Sequence, residues 1–156
     1  MAEASLPQRV VQKMLEQDSF SRWLGITVDE IGPGRCVVSL TVRPEMLNGF
    51  GLCHGGITFS LADSALAFAS NSHGRVAMSI EAGMAYPASV KVGDRISAVA
   101  AEESCTNRIG VYSVIVRLEG IAQVEVSSAT PNDSAKPVGV FRGTVYRTDR
   151  ELIAEE

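Results

Sequence analysis

The sequence lacks any concentration of positive charge. Its 156 residues include 14 Lys and Arg against 18 Asp and Glu, a formal net charge of −4 at pH 7, and the basic residues form no cluster. A nucleic-acid-binding surface needs concentrated positive charge to neutralise phosphates. We therefore expect no nucleic-acid partner, although a few local cations would suffice for a small anionic ligand.

Long hydrophobic runs are also absent. The most apolar stretch, residues 46–62, is interrupted by Asn48, His54 and several glycines, and it is short for a membrane span. The N-terminus, MAEASLPQRV, has no apolar segment of the kind found in signal peptides. These absences predict a cytoplasmic protein that does not cross a membrane.

Cysteine is scarce, and its spacing fits no known pairing motif. Cys36, Cys53 and Cys105 are odd in number and contain no CxxC pair, which favours a reducing compartment and predicts three buried thiols that fill the core. Cys53 and His54 are adjacent, and no further ligands stand at useful spacing. We therefore expect no metal site.

Glycine-rich cofactor motifs are missing as well. The glycines at 49, 51, 55 and 56 form neither GxGxxG nor GxxxxGK[ST], and no GxSxG nucleophile elbow is present. The sequence thus predicts no bound cofactor.

What the sequence does contain is a single carboxylate in an apolar segment. Asp63 is the only Asp, Glu, Lys or Arg between Met46 and Gly74, and the same segment holds both histidines, His54 and His73. Burying an unpaired ionised carboxylate is costly, so we expect Asp63 to have either a partner or a function. His73 stands near the end of a predicted helix, where a structural role is expected.

The periodicity of apolar residues predicts an α+β domain spanning 1–156. A capping box at Ser5 and Gln8 opens a helix over about 5–17, and Phe20, Trp23 and Leu24 are expected to pack inward from a short turn. An apolar segment over about 54–72 predicts a central helix that is buried on most sides. The remaining segments predict an antiparallel sheet wrapped on that helix: strands at 26–31, 35–42, 75–86, 95–105, 109–125 and 138–147, a loop at 127–137 and a flexible tail over about 149–156.

The predicted start of the central helix carries a glycine pair. The first amides of a helix have no partner within it, and the helix dipole adds partial positive charge there. Gly55 and Gly56 would let a ligand approach these amides closely, which favours a site for a polarised carbonyl or an oxyanion. The alternative is a plain helix start at a tight turn.

The spacing of Asp63 from Gly55 leads to a prediction about oligomeric state. The two residues are eight positions apart, which is roughly 12 Å along a helix, too far for a short carboxylate arm to reach a carbonyl held at Gly55. If both groups serve one reaction, they must come from different chains. Two antiparallel copies of the helix would form a homodimer with two composite sites. Otherwise Asp63 is structural and bonded to backbone amides or an Arg.

These motifs together resemble a known family. The segments Met46-Leu47-Asn48-Gly49, Cys53-His54-Gly55-Gly56, Phe59-Ser60-Leu61-Ala62-Asp63 and Asn71-Ser72-His73-Gly74, with Phe141-Arg142-Gly143 near the end, are similar to the signature of hotdog-fold acyl-CoA thioesterases, in particular the PaaI-type branch of phenylacetate degradation. The resemblance covers about residues 8–148. The chain departs from the family pattern at Tyr86-Pro87-Ala88-Ser89 and in extra length between Leu118 and Val138.

The resemblance implies a hotdog fold and hydrolysis of an acyl-CoA thioester, with phenylacetyl-CoA or a related aryl or medium-chain acyl-CoA as substrate. It implies catalytic roles for Asp63, Gly55, Asn48 and His54. Asp63 would act either as general base or as nucleophile. Asn48 would place the water or the thioester, unless it is only a turn residue. His54 would support the helix start, or serve only as its cap.

The resemblance also implies a homodimer with composite sites, and the pairing of two such dimers into a homotetramer. Two other functions remain open from the sequence. One is a hotdog-fold enoyl-CoA hydratase or dehydratase, which usually pairs a catalytic His with the acid. The other is a module that binds acyl-CoA without turnover, although Asp63 argues against it.

Overall fold

The computed structural model describes residues 3–120 and 136–153. The elements in chain order are α1 (Leu6–Leu15), α2 (Ser19–Leu24), β1 (Thr27–Gly32), β2 (Arg35–Thr41), a 3-10 turn (Pro44–Met46), α3 (Gly55–Asn71), β3 (Arg75–Ala85), β4 (Arg95–Cys105), β5 (Ile109–Leu118) and β6 (Gly139–Glu151). The six strands form one antiparallel sheet in the order β1-β2-β4-β5-β6-β3. One long helix, α3, packs against this sheet. The predicted α+β hotdog architecture is confirmed.

The core lies between α3 and the face of the sheet that packs against this helix. Leu61, Ala62, Ala65 and Leu66 of α3 are completely buried. The strands supply the facing side chains, which are also completely buried: Val38, Leu40, Ile96, Ala98, Ala100, Val114 and Val116. Each large apolar side chain buried in this way contributes about 1.5–3 kcal/mol. The small alanine side chains leave room for the helix to lie close to the sheet.

Strand β3 is an open edge of the sheet. It pairs with β6 on one side only, and most of its 11 residues are exposed. An edge strand of this length presents a row of unpaired backbone groups, which proteins normally cover or pair. The edge therefore offers a place for a second chain.

Two packing predictions are wrong. Phe20 and Trp23 are 52% and 49% exposed and stack on each other with ring centroids 6.1 Å apart, so that only Leu24 of this group is buried. The spacing puts all three side chains on one face of α2, but this face is covered only at Leu24. Cys36 and Cys53 are buried, but Cys105 is exposed because β4 ends there at the sheet margin.

The ends of strands β5 and β6 also differ from the prediction. Strand β6 continues to Glu151, which pairs with Arg75, so residues 149–151 belong to the sheet and not to a tail. The Arg75 guanidinium holds this end by donating to the Thr148 carbonyl at 2.8 Å. Strand β5 ends at Leu118. Most of the predicted strand end and loop between 119 and 137 lies outside the described residues.

Candidate active site

The loop that leads into α3 is built by Asn48. Its backbone amide donates to the Leu52 carbonyl at 2.7 Å, and its Oδ1 accepts from the amides of Phe50 and Leu52 at 2.9 and 3.2 Å. The turn role considered for Asn48 is therefore present. Its Nδ2 donates no hydrogen bond within residues 3–120 and 136–153, so the side-chain amide keeps two donors for a ligand.

His54 caps the N-terminus of α3. Its Nδ1 accepts a hydrogen bond from the Gly56 amide at 2.8 Å, and its carbonyl accepts from the Ile57 amide at 2.9 Å. An Nδ1 that accepts must be unprotonated, so His54 is the neutral tautomer with its proton on Nε2. The cap satisfies two of the four helix amides that lack internal partners.

The cap leaves the Gly55 amide free. This amide is the first in α3, and it finds no acceptor in the described part of the chain, whereas the amides of Gly56 and Ile57 are both occupied by His54. The ring of Tyr86 lies against Gly55, since a Cβ built there would be 3.3 Å from its Cε1 and Cζ. A free amide at the positive end of a 17-residue helix is suited to hold a carbonyl oxygen.

Asp63 lies two turns further along α3 and faces the β3 edge. Its side chain is half-buried, and burial raises the pKa of the carboxyl, while the hydroxyl of Ser79 on β3 acts in the opposite direction through a hydrogen bond. No ion pair of Asp63 occurs among the residues that the structure places. The alternative of a carboxylate held structurally by an Arg therefore finds no support.

Within one chain the site residues fall into two groups. The helix start brings together His54, Gly55 and Tyr86, with the Asn48 loop directly before it. Asp63 is not among them, because both Gly55 and Asp63 lie in the same continuous helix, roughly 12 Å apart. A single chain thus offers a donor site for a carbonyl at one place and an acid at another.

Sequence reasoning missed Ser79 and gave Tyr86 no role. Both act through contacts across the fold: Ser79 touches the helix from the edge strand, and Tyr86 folds back from the end of β3 onto the helix start. The departure from the family pattern at Tyr86 was the one available signal. For Ser79 the only signal in the sequence was the alternation of strand residues, which places it on the same side of β3 as Ala77.

The other end of α3 holds a second polar cluster. His73, Glu102 and Cys105 have potential ligand atoms within 4.8 Å of one another. However, Glu102 Oε2 already accepts from the Tyr112 hydroxyl at 2.5 Å and lies 2.6 Å from His73 Nε2. Burial would raise the pKa of Glu102, but these two hydrogen bonds lower it below its ordinary value. The cluster ties the end of α3 to β4 and β5, consistent with the structural role expected for His73.

The fold defines a class of protein. A six-stranded antiparallel sheet wrapped on one long buried helix is the hotdog architecture. The sequence pattern of the Thioesterase superfamily matches residues 50–125. Together with the relatives below, this match shows that the chain belongs to that superfamily, as predicted.

Individual relatives match nearly the whole chain. The acyl-coenzyme A thioesterase PaaI of Escherichia coli K12 is 32% identical over 142 residues, which cover 91% of each chain. The structure of the E. coli PaaI protein from the phenylacetic acid degradation operon superposes with a TM-score of 0.82 at 30% identity, covering 94% of this chain and 96% of that one. The TT0310 protein from Thermus thermophilus is 36% identical with a TM-score of 0.72, covering 85% and 99%.

None of the described helices is long and apolar enough to cross a membrane.

Proposed function

We propose that this chain hydrolyses acyl-CoA thioesters to a free acid and CoA. Its family consists of hydrolases that act on thioester bonds, and PaaI of E. coli, which it resembles over 91% of its length, is named as an acyl-CoA thioesterase. The observation that carries the proposal is the combination on α3 of a free Gly55 amide and an Asp63 without an ion-pair partner in the described chain.

Each site residue has a role in this reaction. The Gly55 amide donates to the thioester carbonyl and stabilises the negative charge that develops on its oxygen. Asp63 either removes a proton from a water that attacks the carbonyl carbon, or attacks that carbon itself to give a mixed anhydride. The thiolate of CoA leaves in either case, and on the second route water then hydrolyses the anhydride, which releases the free acid and restores the Asp63 carboxylate. Asn48 Nδ2 positions the water or the thioester, while His54 keeps the helix start in shape.

Asp63 can meet the Gly55 amide only across two chains. If β3 pairs antiparallel with β3 of a second copy, the two-fold axis sets the two α3 helices antiparallel on the same side of the joined sheet. Asp63 lies beside β3 through Ser79, so it stands at this junction. Each half of a homodimer then contributes Gly55 to one site and Asp63 to the other.

A further pairing of dimers into a homotetramer is supported by the outer face of the sheet. Met78 and Ile80 of β3 are each 60% exposed, and Tyr146 of β6, which is the pairing partner of Met78, is 42% exposed. An apolar surface of this kind on neighbouring strands typically marks an interface. It lies on the side of the sheet opposite α3 and leaves the β3 edge free.

For the acyl group we propose phenylacetyl or a related aryl or medium-chain acyl group. One structural relative comes from the phenylacetic acid degradation operon. In this chain Phe59, which follows Gly55 by one turn on α3, meets Phe141 of β6 edge-to-face with ring centroids 5.2 Å apart. Such an aromatic wall beside the carbonyl site would favour a flat, apolar acyl group.

The test is release of free thiol from acyl-CoA esters by the purified protein. Wild type should release CoA thiol from phenylacetyl-CoA, and Asp63→Asn should lower kcat by about 1,000-fold or more with the fold retained. Asp149→Asn, which changes an exposed Asp at the far end of β6, serves as the matched control and should keep full activity. Saturable binding without thiol release would favour a binding module. Hydration of an enoyl-CoA without thiol release would favour a hydratase.

A further inference from the structure

Tyr86 packs against the start of α3, and the reaction described above gives it no role. It follows β3 directly and is 49% exposed. Its ring fits where a side chain at position 55 would be: a Cβ on Gly55 would lie 3.3 Å from the ring atoms Cε1 and Cζ and 3.5 Å from the hydroxyl Oη. The glycine thus makes room for the tyrosine as well as for a ligand.

The hydroxyl of Tyr86 lies close to the start of α3. In an α-helix the Cα–Cβ bond tilts toward the N-terminus, which is also the direction in which the first amide points. Oη lies 3.5 Å from the Cβ site of Gly55, and because this Cβ and the amide nitrogen are both bonded to the Gly55 Cα, the hydroxyl is also close to the free amide. A carbonyl oxygen bound to the Gly55 amide would lie next to this hydroxyl.

The start of α3 offers a single free backbone donor for a carbonyl oxygen. His54 occupies the amides of Gly56 and Ile57, so the backbone offers one donor, the Gly55 amide. A carbonyl oxygen has two lone pairs, and an oxyanion formed from it gains from a second donor. The Tyr86 hydroxyl makes no hydrogen bond to any residue that the structure describes, and so it is available.

We propose that Tyr86 is a catalytic residue whose hydroxyl donates, beside the Gly55 amide, to the carbonyl oxygen of the bound thioester. This inference rests on the proposed thioesterase function and adds a residue to it. Tyr86 stays protonated throughout: its hydrogen bond strengthens as the carbonyl oxygen gains negative charge, and weakens again when the thiolate leaves. No proton is transferred to or from the phenol.

The test removes a single oxygen atom. Tyr86→Phe keeps the ring against Gly55 and should lower kcat about 100-fold with KM changed less than about twofold, because the donor acts mainly on the charged oxygen of the transition state. Tyr146→Phe is the matched control, since it removes the hydroxyl of another half-exposed tyrosine on the outer face of the sheet. It should leave both constants unchanged.

A second variant tests the placement of the ring. Gly55→Ala retains the amide but adds a Cβ 3.3 Å from the Tyr86 ring, so that the ring must shift by a few tenths of an ångström. It should lower kcat in both backgrounds, because the methyl group also narrows the approach of the ligand, but by less in Tyr86→Phe, where the part of the effect that acts through the hydroxyl is already lost.

The outcomes separate this inference from the proposed function. Wild-type kcat in Tyr86→Phe, or a raised KM with unchanged kcat, would overturn the role of Tyr86 and leave the thioesterase standing. Failure of the wild-type protein to release thiol from any acyl-CoA would overturn the proposed function, and the inference with it.

Discussion

Asp63 carries a charge that its surroundings disfavour. Burial raises the pKa of its carboxyl, and the Ser79 hydroxyl offsets only part of this effect. An acid with a raised pKa in the folded state binds more protons when folded than when unfolded. Its unfavourable contribution to stability therefore grows as pH rises from the ordinary carboxyl pKa through the raised one, and is complete above it.

The upward shift of the Asp63 pKa predicts that Asp63→Asn is more stable than wild type at pH 8, since the neutral amide avoids the cost of burying a charge. The difference in melting temperature should shrink as pH falls and vanish below the ordinary carboxyl pKa. Thermal unfolding of both proteins across this pH range makes the comparison. A wild type that melts above the variant at pH 8 would mean that the carboxylate is a stabilising structural group.

Ser79 should set the pH at which activity is lost in acid. Asp63 must be ionised both as general base and as nucleophile, so kcat/KM falls as pH drops through its pKa. Ser79→Ala removes a hydrogen bond that favours the ionised form, so the acid limb should move to higher pH. Ser104→Ala, an exposed serine on β4, is the control. An acid limb shared by all three proteins would contradict the Asp63–Ser79 contact.

At the residue scale, the sequence predicted the groups that stand out chemically. Asp63 was visible as the single charge in an apolar segment, and Gly55 as part of a glycine pair before a helix. Ser79 and Tyr86 were not predicted, because their roles depend on contacts between β3 and α3 that no local pattern encodes.

Among the elements, the start of α3 depends on one side chain. His54 Nδ1 accepts from the Gly56 amide at 2.8 Å, which is the bond that an N-cap Asn or Ser would supply. His54→Ala should destabilise the protein by about 1 kcal/mol, whereas His54→Asn should lose less than half of that. Urea denaturation measures both. Equal stability of the Ala variant and wild type would show that the cap is not needed to hold the helix start.

The elements also show where periodicity is informative and where it fails. The expected central helix at about 54–72 is observed at Gly55–Asn71, because an apolar surface on all sides leaves few alternatives to burial. Phe20 and Trp23 looked equally apolar but are exposed. Periodicity identifies apolar side chains and gives no information on whether an element stands close enough to cover them. In the same way, the end of β6 is set by Arg75 of a neighbouring strand.

For the whole molecule, the apolar outer face of β3 and β6 predicts an effect on assembly. Ile80→Lys places a charge on this face, where Ile80 is 60% exposed in the single chain. It should convert a tetramer into dimers that retain activity, because the composite sites lie on the other side of the sheet. Light scattering coupled to size exclusion gives the mass of each species. A variant that remains tetrameric would place the second interface elsewhere.

Whether Gly55 and Asp63 can form one site depends on the assembly of two chains. If Gly55 and Asp63 serve one reaction, their spacing in the sequence requires two chains, and the continuous helix α3 keeps that requirement. What the sequence could not supply was the edge where the chains would meet. We propose that the open β3 strand, with Asp63 beside it, is that edge.

Complementation between two inactive variants tests this arrangement directly. Gly55→Pro removes the free amide while preserving the helix, since proline is favoured at the first helical position and His54 already has the extended backbone, with ψ at 133°, that precedes proline well. Asp63→Asn removes the acid. Each variant alone should be inactive. An equal mixture, unfolded and refolded together, should recover about a quarter of wild-type activity, because half of the dimers are mixed and each mixed dimer has one intact site. A mixture that forms mixed dimers yet stays inactive would contradict the two-chain site.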